Sequence, residues 1–544
     1  MAADGSPTRK TFPSEAVCCA TVLILAVAAF VLTHKDTLLL PFLSDDYPLA
    51  AMMNPPTAYK LLRSFLPERC DVVFYRPLSF LFFLMDSLLW GTRPLGFHLT
   101  NLLLHGTNAC LVYLLARRLI RNRGGAVTAA VFFLLFPLQH EVVIWISGRA
   151  DSLATLCYLL CALFYWQYRV GGRKRHLFGA LLCGLLSLLS KENGLTFPVL
   201  LLAMEIILFG DKPAADRRRH LLCLMALLWI LPLYVAFRWF SLRDTLPLFL
   251  ASLPEHPSDL SAARLLVTSL AGVVASVFYY PWRPLACPLV QTAAWNDWVT
   301  PSYHACWLLL LLAGIATGAL WNRVTRFCAA LFFISLLPSG PMLPWIDRVH
   351  LQNARVLYLS IAFLSVLAGN LLFGGRETHL RILRPTARFA VVTALIALLC
   401  VGLYRNSRPW LDAARLSQEI LTQFRAHALG MDHPDVIYVE GVPISHNGVY
   451  IFGTGFPEAV NLSMGTLPAF RIQPGKPKLS SYADFLLDQC PWRPIVPNFL
   501  AQVHLHAQLA CQEYSFPDWY SEDPGDYVHA IRWNPGTETF EATR

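Results

Sequence analysis

Long apolar runs separated by short polar breaks fill most of the chain, a pattern that predicts membrane-crossing helices rather than one compact soluble core. The first run, Ala16 to Thr33, is roughly 18 residues, near the minimum that crosses a bilayer. Arg9 and Lys10 before it imitate a secretory signal, yet the many similar runs that follow predict an uncleaved first span. Further spans are expected at Phe97 to Leu119, Ala126 to Ile146, Leu153 to Tyr168, Leu177 to Leu189, Leu195 to Phe209 and Leu221 to Phe237. Leu265 to Tyr280, Ala305 to Leu320, Phe327 to Leu343, Val356 to Phe373 and Phe389 to Tyr404 complete the candidates.

Lysine and arginine are retained on the cytoplasmic side of short loops, so the polar breaks orient these spans. Arg117, Arg118, Arg121 and Arg123 mark one cytoplasmic loop, Arg173 to Arg175 the next, and Arg217 to Arg219 a third. Arg323, Arg326, Arg376, Arg381, Arg384 and Arg388 look cytoplasmic as well, which places the C-terminal part outside. Full crossing by every candidate would return that part to the cytoplasm, so one must fail to cross. Leu265 to Tyr280, short and preceded by a loop rich in Pro and Leu, is the one chosen. The expectation is a mainly α, polytopic membrane protein with about 11 transmembrane helices over residues 1–404.

From Arg405 onward no run is long enough to span, and 10 basic residues face 15 acidic ones. Residues 405–544 therefore read as a small extracytoplasmic α/β domain. Trp410 to Leu429 has helical periodicity, while Val436 to Glu440 and Gly448 to Phe452 read as strands.

Composition agrees, since 55% of the residues are hydrophobic and only 15% charged, which excludes an ordinary soluble protein. The net charge of +9 lies in short clusters between apolar runs. It reads as an orientation signal rather than a groove for nucleic acid, which is not expected as a partner. Most of the 14 cysteines fall inside apolar stretches, where a thiol acts as a small hydrophobe. Cys490 and Cys511 lie in the polar C-terminal part and are able to pair if it is extracytoplasmic.

The loops expected outside carry the candidate chemistry. Asp45 and Asp46 follow the first span, and two adjacent carboxylates can supply a general base, because one charge raises the pKa of the other. A solvated helix cap is the plainer alternative. Gln139-His140-Glu141 and Ser147-Gly-Arg149-Ala-Asp151 place ionisable groups where the surrounding sequence is apolar; they serve a site, or pin helices through pairs such as Arg149 with Asp151 or Glu141. Ser190-Lys191-Glu192-Asn193-Gly194 breaks another apolar run, either to hold a phosphate or as an interfacial turn. Arg76, Arg348 and Arg355 map to the same face, and an arginine fork suits phosphate oxygens. His98, Asn101, His105 and Asn108 form one helical stripe, suited to hydrogen bonds between helices or to a metal ion. No Walker loop, dinucleotide fingerprint, serine nucleophile elbow or HExxH pattern occurs.

Taken in order, SDDYPLA, YRPLS, GFHLTNLLLHGTNACLVY, PLQHEVVIWISGRADSLATL, LSKENGLTFPVLLL and RVLYLS make the chain resemble the integral-membrane GT-C glycosyltransferases. The resemblance is to the membrane half of the transmembrane and TPR-repeat-containing O-mannosyltransferases and their bacterial relatives, over roughly residues 40 to 405. It implies a GT-C-like fold and transfer of a sugar from a polyprenyl-phosphate donor to a protein or glycan acceptor at the extracytoplasmic face. It also implies a catalytic set of Asp45, Asp46 and Glu141, with Arg76, His140, Arg149, Asp151, Lys191, Glu192 and Arg355 at the donor phosphate or bracing the site. No cofactor is certain, although the acids would admit a divalent cation. The implied location is the bacterial inner membrane, or the endoplasmic reticulum in a eukaryote.

The chain departs from that pattern in three ways. Gln139 stands where relatives usually have a first histidine, and Ala354 where the animal family has glutamate. The TPR array is missing, so the protein acceptor and the mannose donor are not carried over. A lipid-linked oligosaccharide flippase and a glycan ligase are the alternatives. A flippase concentrates polar groups near the bilayer midplane and shows paired halves, which this sequence lacks.

Overall fold

The computed structural model describes residues 15–63, 75–230, 322–346, 350–374, 385–430, 436–443, 445–452, 455–464, 471–474 and 529–542, with isolated residues between 232 and 289. Apart from a few of those isolated residues, the expected spans Leu265 to Tyr280 and Ala305 to Leu320 lie outside this set, as do Arg348, Cys490 and Cys511.

The helices are α1 (Glu15–His34), α2 (Asp46–Met53), α3 (Ala58–Arg63), α4 (Pro77–Trp90), α5 (Pro94–Ile120), α6 (Arg123–Leu135), α7 (His140–Ile144) and α8 (Arg149–Gly171). They continue with α9 (Lys174–Ser190), α10 (Phe197–Ala203), α11 (Ala214–Leu227), α12 (Arg323–Leu336), α13 (Tyr358–Phe373), α14 (Pro385–Leu429) and α15 (Phe456–Met464). Local chemistry sets several of these ends. Proline occupies the first turn of α4 and α5, where its missing N–H has no partner to lose. Asn122 caps α6 by accepting from Gly125 N at 2.9 Å, and Asn322 caps α12 by accepting from Thr325 N at 2.9 Å. Gly172, at φ 68°, ends α8 in the left-handed conformation that glycine adopts without strain.

Among the described residues four helices are long and apolar enough to cross a membrane, or five if α6 and the segment Pro137–Ile144 form one span bent by 48°. Pro137 lies at that bend, where a proline disrupts the helical bonding of the preceding turn. The described helices thus account for part of the expected eleven. One apolar helix is additional to the expectation: α4, with 14 residues, is shorter than a span and falls in a stretch read as loop. A second difference concerns residue 405, across which α14 runs without a break.

Beyond α14 lie the strands β1 (Val436–Glu440), β2 (Ser445–His446), β3 (Val449–Tyr450), β4 (Arg471–Pro474), β5 (His529–Asn534) and β6 (Thr539–Ala542). Their main sheet has the order β4-β1-β5-β6, parallel at β1 with both neighbours and antiparallel between β5 and β6. The expected strand Gly448 to Phe452 shortens to the two residues of β3, paired antiparallel to β2. Asn447 and Gly448, at φ 48° and 76°, form the tight turn between them.

Two apolar cores result. One lies within the helical bundle, and the other joins Leu40, Phe42, Tyr47 and Phe83 to Trp410, Phe424, Ile437 and Trp533. The second core therefore welds the segment after α1 to the C-terminal sheet. Inside the first, α6 and α13 touch through glycines, since a Cβ added at Gly369 would stand 2.2 Å from the Gly125 carbonyl oxygen. Gly369→Ala is expected to force these helices apart at a cost of about 1–3 kcal/mol. A lowered thermal midpoint of the purified protein would register that cost, and an unchanged midpoint would contradict the close contact.

Candidate active site

α5 and α6 are joined by a basic turn at Arg121–Arg123, and α8 and α9 by another at Gly171–Arg173. The opposite ends of these four helices converge on the segments 44–46, 137–149 and 190–193. All the acids and bases expected to act together belong to that one end of the bundle.

Asp45 is the N-cap of α2 and half-buried, with Ser44 donating to it at 3.4 Å. Asp46 is fully buried. Its Oδ1 accepts from Ser147 N at 2.8 Å and from Ser147 Oγ at 2.5 Å, while Oδ2 accepts from Leu43 N at 3.2 Å. Burial pushes its pKa up to about 7, against these three donors, which favour the charged form. The adjacent carboxylates thus differ in role. Asp46 ties the first loop to the turn before α8, and Asp45 is left at the surface of the site.

At this end of the bundle four ion pairs among the described residues link elements distant in sequence. Arg149 Nη1 meets Asp86 Oδ2 at 2.6 Å, and the arginine side chain is 0% exposed. Its Nη2 donates to the Phe97 carbonyl, and its guanidinium lies 4.2 Å from the centre of the Phe83 ring. Arg149, expected to hold the donor phosphate or brace the site, is enclosed, and its partner is Asp86 of α4 rather than Asp151 or Glu141. Lys191 Nζ donates to both oxygens of Asp151 at 2.6 and 2.7 Å. Burial holds the lysine pKa below its ordinary value, and Asp151 works in the opposite direction.

The other two pairs are more open. Arg76 Nη2 donates to Glu192 at 2.8 Å with both side chains 21% exposed. Arg355 bonds Glu141 through its guanidinium and, at 3.0 Å, through its backbone N–H. The same guanidinium lies 4.7 Å from the centre of the Trp145 ring. Trp145 in turn donates to the Leu43 carbonyl, so Arg355, Trp145 and the Asp45 loop form one connected set. His140 is buried, with Nδ1 2.8 Å from the Pro137 carbonyl oxygen.

The polar stripe on α5 is hydrogen-bonded to other elements. His98 bonds the Leu40 carbonyl, Asn101 that of Trp145, Asn108 that of Ser152, and His105 lies 2.7 Å from the Tyr358 hydroxyl. These are bonds between elements. Among the described residues no group of three His, Cys, Asp or Glu side chains is placed to hold a metal ion. Asp86 was absent from the sequence-based candidates, although a carboxylate inside Phe82-Phe-Leu-Met-Asp86-Ser-Leu-Leu89 is a signal in itself.

With this geometry in view, similarity to known proteins becomes informative. Protein O-mannosyl-transferase Tmtc1 of Drosophila melanogaster is 37% identical over 122 residues, covering 22% of this chain and 14% of the fly protein. Protein O-mannosyl-transferase TMTC4 of Mus musculus is 28% identical over 392 residues, covering 60% of this chain and 51% of the mouse protein. The chain is thus similar in sequence to parts of the protein O-mannosyl-transferases. It matches from 14% to about half of the length of these two relatives. No protein-family model matches it. ArnT from Cupriavidus metallidurans bound to undecaprenyl phosphate overlaps 96% of this chain and 94% of its own, at 12% identity and a TM-score of 0.45, a level that carries no functional argument.

The enclosed pair of Arg149 and Asp86 is open to direct test. Asp86→Ala leaves the Arg149 charge buried without its partner, and a loss of about 3–5 kcal/mol is expected. Asp86→Leu combined with Arg149→Met should recover much of it. Thermal midpoints of the three proteins in detergent compare them, and a midpoint for Asp86→Ala equal to the native one would end the claim.

Proposed function

We propose that the chain is a membrane glycosyltransferase that moves a sugar from a polyprenyl-phosphate donor to a hydroxyl of a protein or glycan acceptor. The observation that carries this reading is Asp45, half-buried beside the fully bonded Asp46, on a loop whose Leu43 carbonyl accepts from Trp145, which stacks with the partly exposed Arg355. An acceptor hydroxyl is a weak nucleophile until a carboxylate takes its proton, and Asp45 is the base. The hydroxyl oxygen attacks the anomeric carbon, the bond from that carbon to the phosphate oxygen breaks, and the polyprenyl phosphate leaves with the electron pair. Arg355 and Arg76, each 18–21% exposed, meet the developing phosphate charge. Lys191 and Asp151 hold the floor beneath them. A single displacement of this kind inverts the anomeric centre.

The transferase activity named for the similar proteins supports the transferase class, and the basic turns at the far end of the bundle support an extracytoplasmic site with the C-terminal region 405–544 on the same side. The membrane is the bacterial inner membrane, or that of the endoplasmic reticulum in a eukaryote. A glycan ligase would use the same groups on a larger donor. The flippase alternative has less support, because the four ion pairs of the site gather at one end of the bundle rather than at its middle.

Asp45→Asn removes the base while leaving the bonds of Asp46 in place. Transfer of radiolabelled sugar from polyprenyl-phosphate donors in membranes is expected to fall by roughly 10²–10⁴-fold, with no change in thermal midpoint. Equal transfer by both proteins would exclude Asp45 as the base. Lipid-linked glycan crossing proteoliposomes, with no donor used, would favour the flippase.

A further inference from the structure

One motif of the chain lies outside the ion pairs and carboxylates of the site. Asn461-Leu462-Ser463 is the only triplet of the form Asn-x-Ser or Asn-x-Thr, with no proline at its centre, in the whole sequence. Such a triplet accepts an N-linked glycan where it stands on the extracytoplasmic side and can be reached. Its place in the fold bears on both conditions.

α14 sets its height. The apolar run of that helix ends at Tyr404, and the helix continues from there to Phe424, about 20 residues or about 30 Å at 1.5 Å per residue. A bilayer core is itself about 30 Å thick, so the outer half of α14 projects clear of it. Phe456, which opens α15, meets Phe424 edge-on with ring centres 5.4 Å apart. α15 is therefore fixed well beyond the end of the apolar run. Its other support is the segment carrying Asp45, since a Cβ added at Gly455 would stand 2.6 Å from Pro48 Cδ and 3.0 Å from the Ser44 carbonyl oxygen.

Within α15 burial changes along the last turns. Ala459 and Val460 are buried, Asn461 and Leu462 are half-buried, and Ser463 is exposed. The triplet thus follows the residues that face the core and reaches to the end of the helix at Met464. Its only printed side-chain bond is local, from Ser463 Oγ to the Val460 carbonyl at 2.9 Å. Helix ends fray at little cost, so this turn opens to a modifying enzyme without disturbing the apolar core.

We infer that Asn461 is an N-glycosylation site, modified on the luminal side of the endoplasmic reticulum by an oligosaccharide carried on a polyprenyl diphosphate. The similar proteins named above are from a fly and a mouse, and animal cells carry out this reaction in that compartment. Here the chain is the acceptor, so the inference uses the placement of residues 405–544 proposed above and is independent of the transferase reading. Asn461 Nδ2 forms a bond to the anomeric carbon, and the bond from that carbon to the diphosphate oxygen breaks. The lipid diphosphate leaves with the electron pair, and one amide proton passes to the host enzyme.

The full chain made in cultured animal cells is expected to run as a heavier band on a denaturing gel, returning to the unmodified mobility after digestion with peptide N-glycosidase. Asn461→Gln and Ser463→Ala should each abolish the shift, whereas Ser463→Thr keeps it by supplying the same hydroxyl. The readout is covalent mass, so a variant that folds poorly still reports. Pro535→Asn is the reference, because it puts an asparagine two residues before Thr537 in the exposed turn between β5 and β6 and should add a second step of equal size. A native chain without the shift, beside a Pro535→Asn chain that gains one, overturns the site and keeps the C-terminal region outside. Absence of any shift in both chains overturns the site together with that placement. A shift that survives in Asn461→Gln also overturns it. The transferase reading fails separately: a glycosylated native chain that transfers no sugar keeps Asn461 and removes the transferase.

Discussion

Arg149 carries a positive charge into a place with no exposed surface, and this end of the bundle is arranged around satisfying it. Asp86 neutralises the charge from α4, the Phe97 carbonyl takes a second N–H from α5, and Phe83 covers the guanidinium face. Held on three sides, Arg149 fixes the start of α8 and with it the turn Ile146–Gly148. Ser147 on that turn grips Asp46 through two hydrogen bonds. Asp45 is therefore placed by a chain of contacts that begins at a residue it does not touch.

A second constraint acts from above. Ser44 donates its backbone N–H to the Ile451 carbonyl at 2.6 Å, and Tyr47 stacks on Phe452 with ring centres 6.1 Å apart. The loop bearing the two aspartates is thus clamped between α8 and the strands beyond α14. Because a single apolar core runs from Leu40 and Phe42 to Ile437 and Trp533, the C-terminal strands are part of the site's frame.

Much of this was legible in the sequence. Periodicity and apolar length located α1, α5, α8, α9 and α13 to within a few residues, and β1 agrees with the range read from Val436 to Glu440. The polar segments proved to share one end of the bundle because alternation of basic and acidic loops follows alternation of helix direction. What the sequence withheld was partnership. Nothing local in Arg149 distinguishes Asp86 from Asp151 or Glu141 as its counter-ion, since the choice depends on α4, whose 14 residues are too few to register as a span. The continuity of α14 through residue 405 was hidden for a related reason: hydropathy falls there from one environment to another, although the backbone does not change. The particular partners of His98 and His105, the Leu40 carbonyl and the Tyr358 hydroxyl, likewise lie on other segments.

The separation of these partners along the chain has a consequence in time. Glu141 and Arg355 are 214 residues apart, so at roughly 5–20 residues per second the ribosome makes the acid some 10–40 s before its counter-ion. Throughout that interval the carboxylate has either to remain in water or to carry a proton, because a buried charge without its partner is costly. The corner at Pro137 that holds Glu141 becomes fully stable only after Arg355 has been synthesised. Assembly of this end of the bundle is thus a late event of biogenesis, whatever the order in which the individual helices insert.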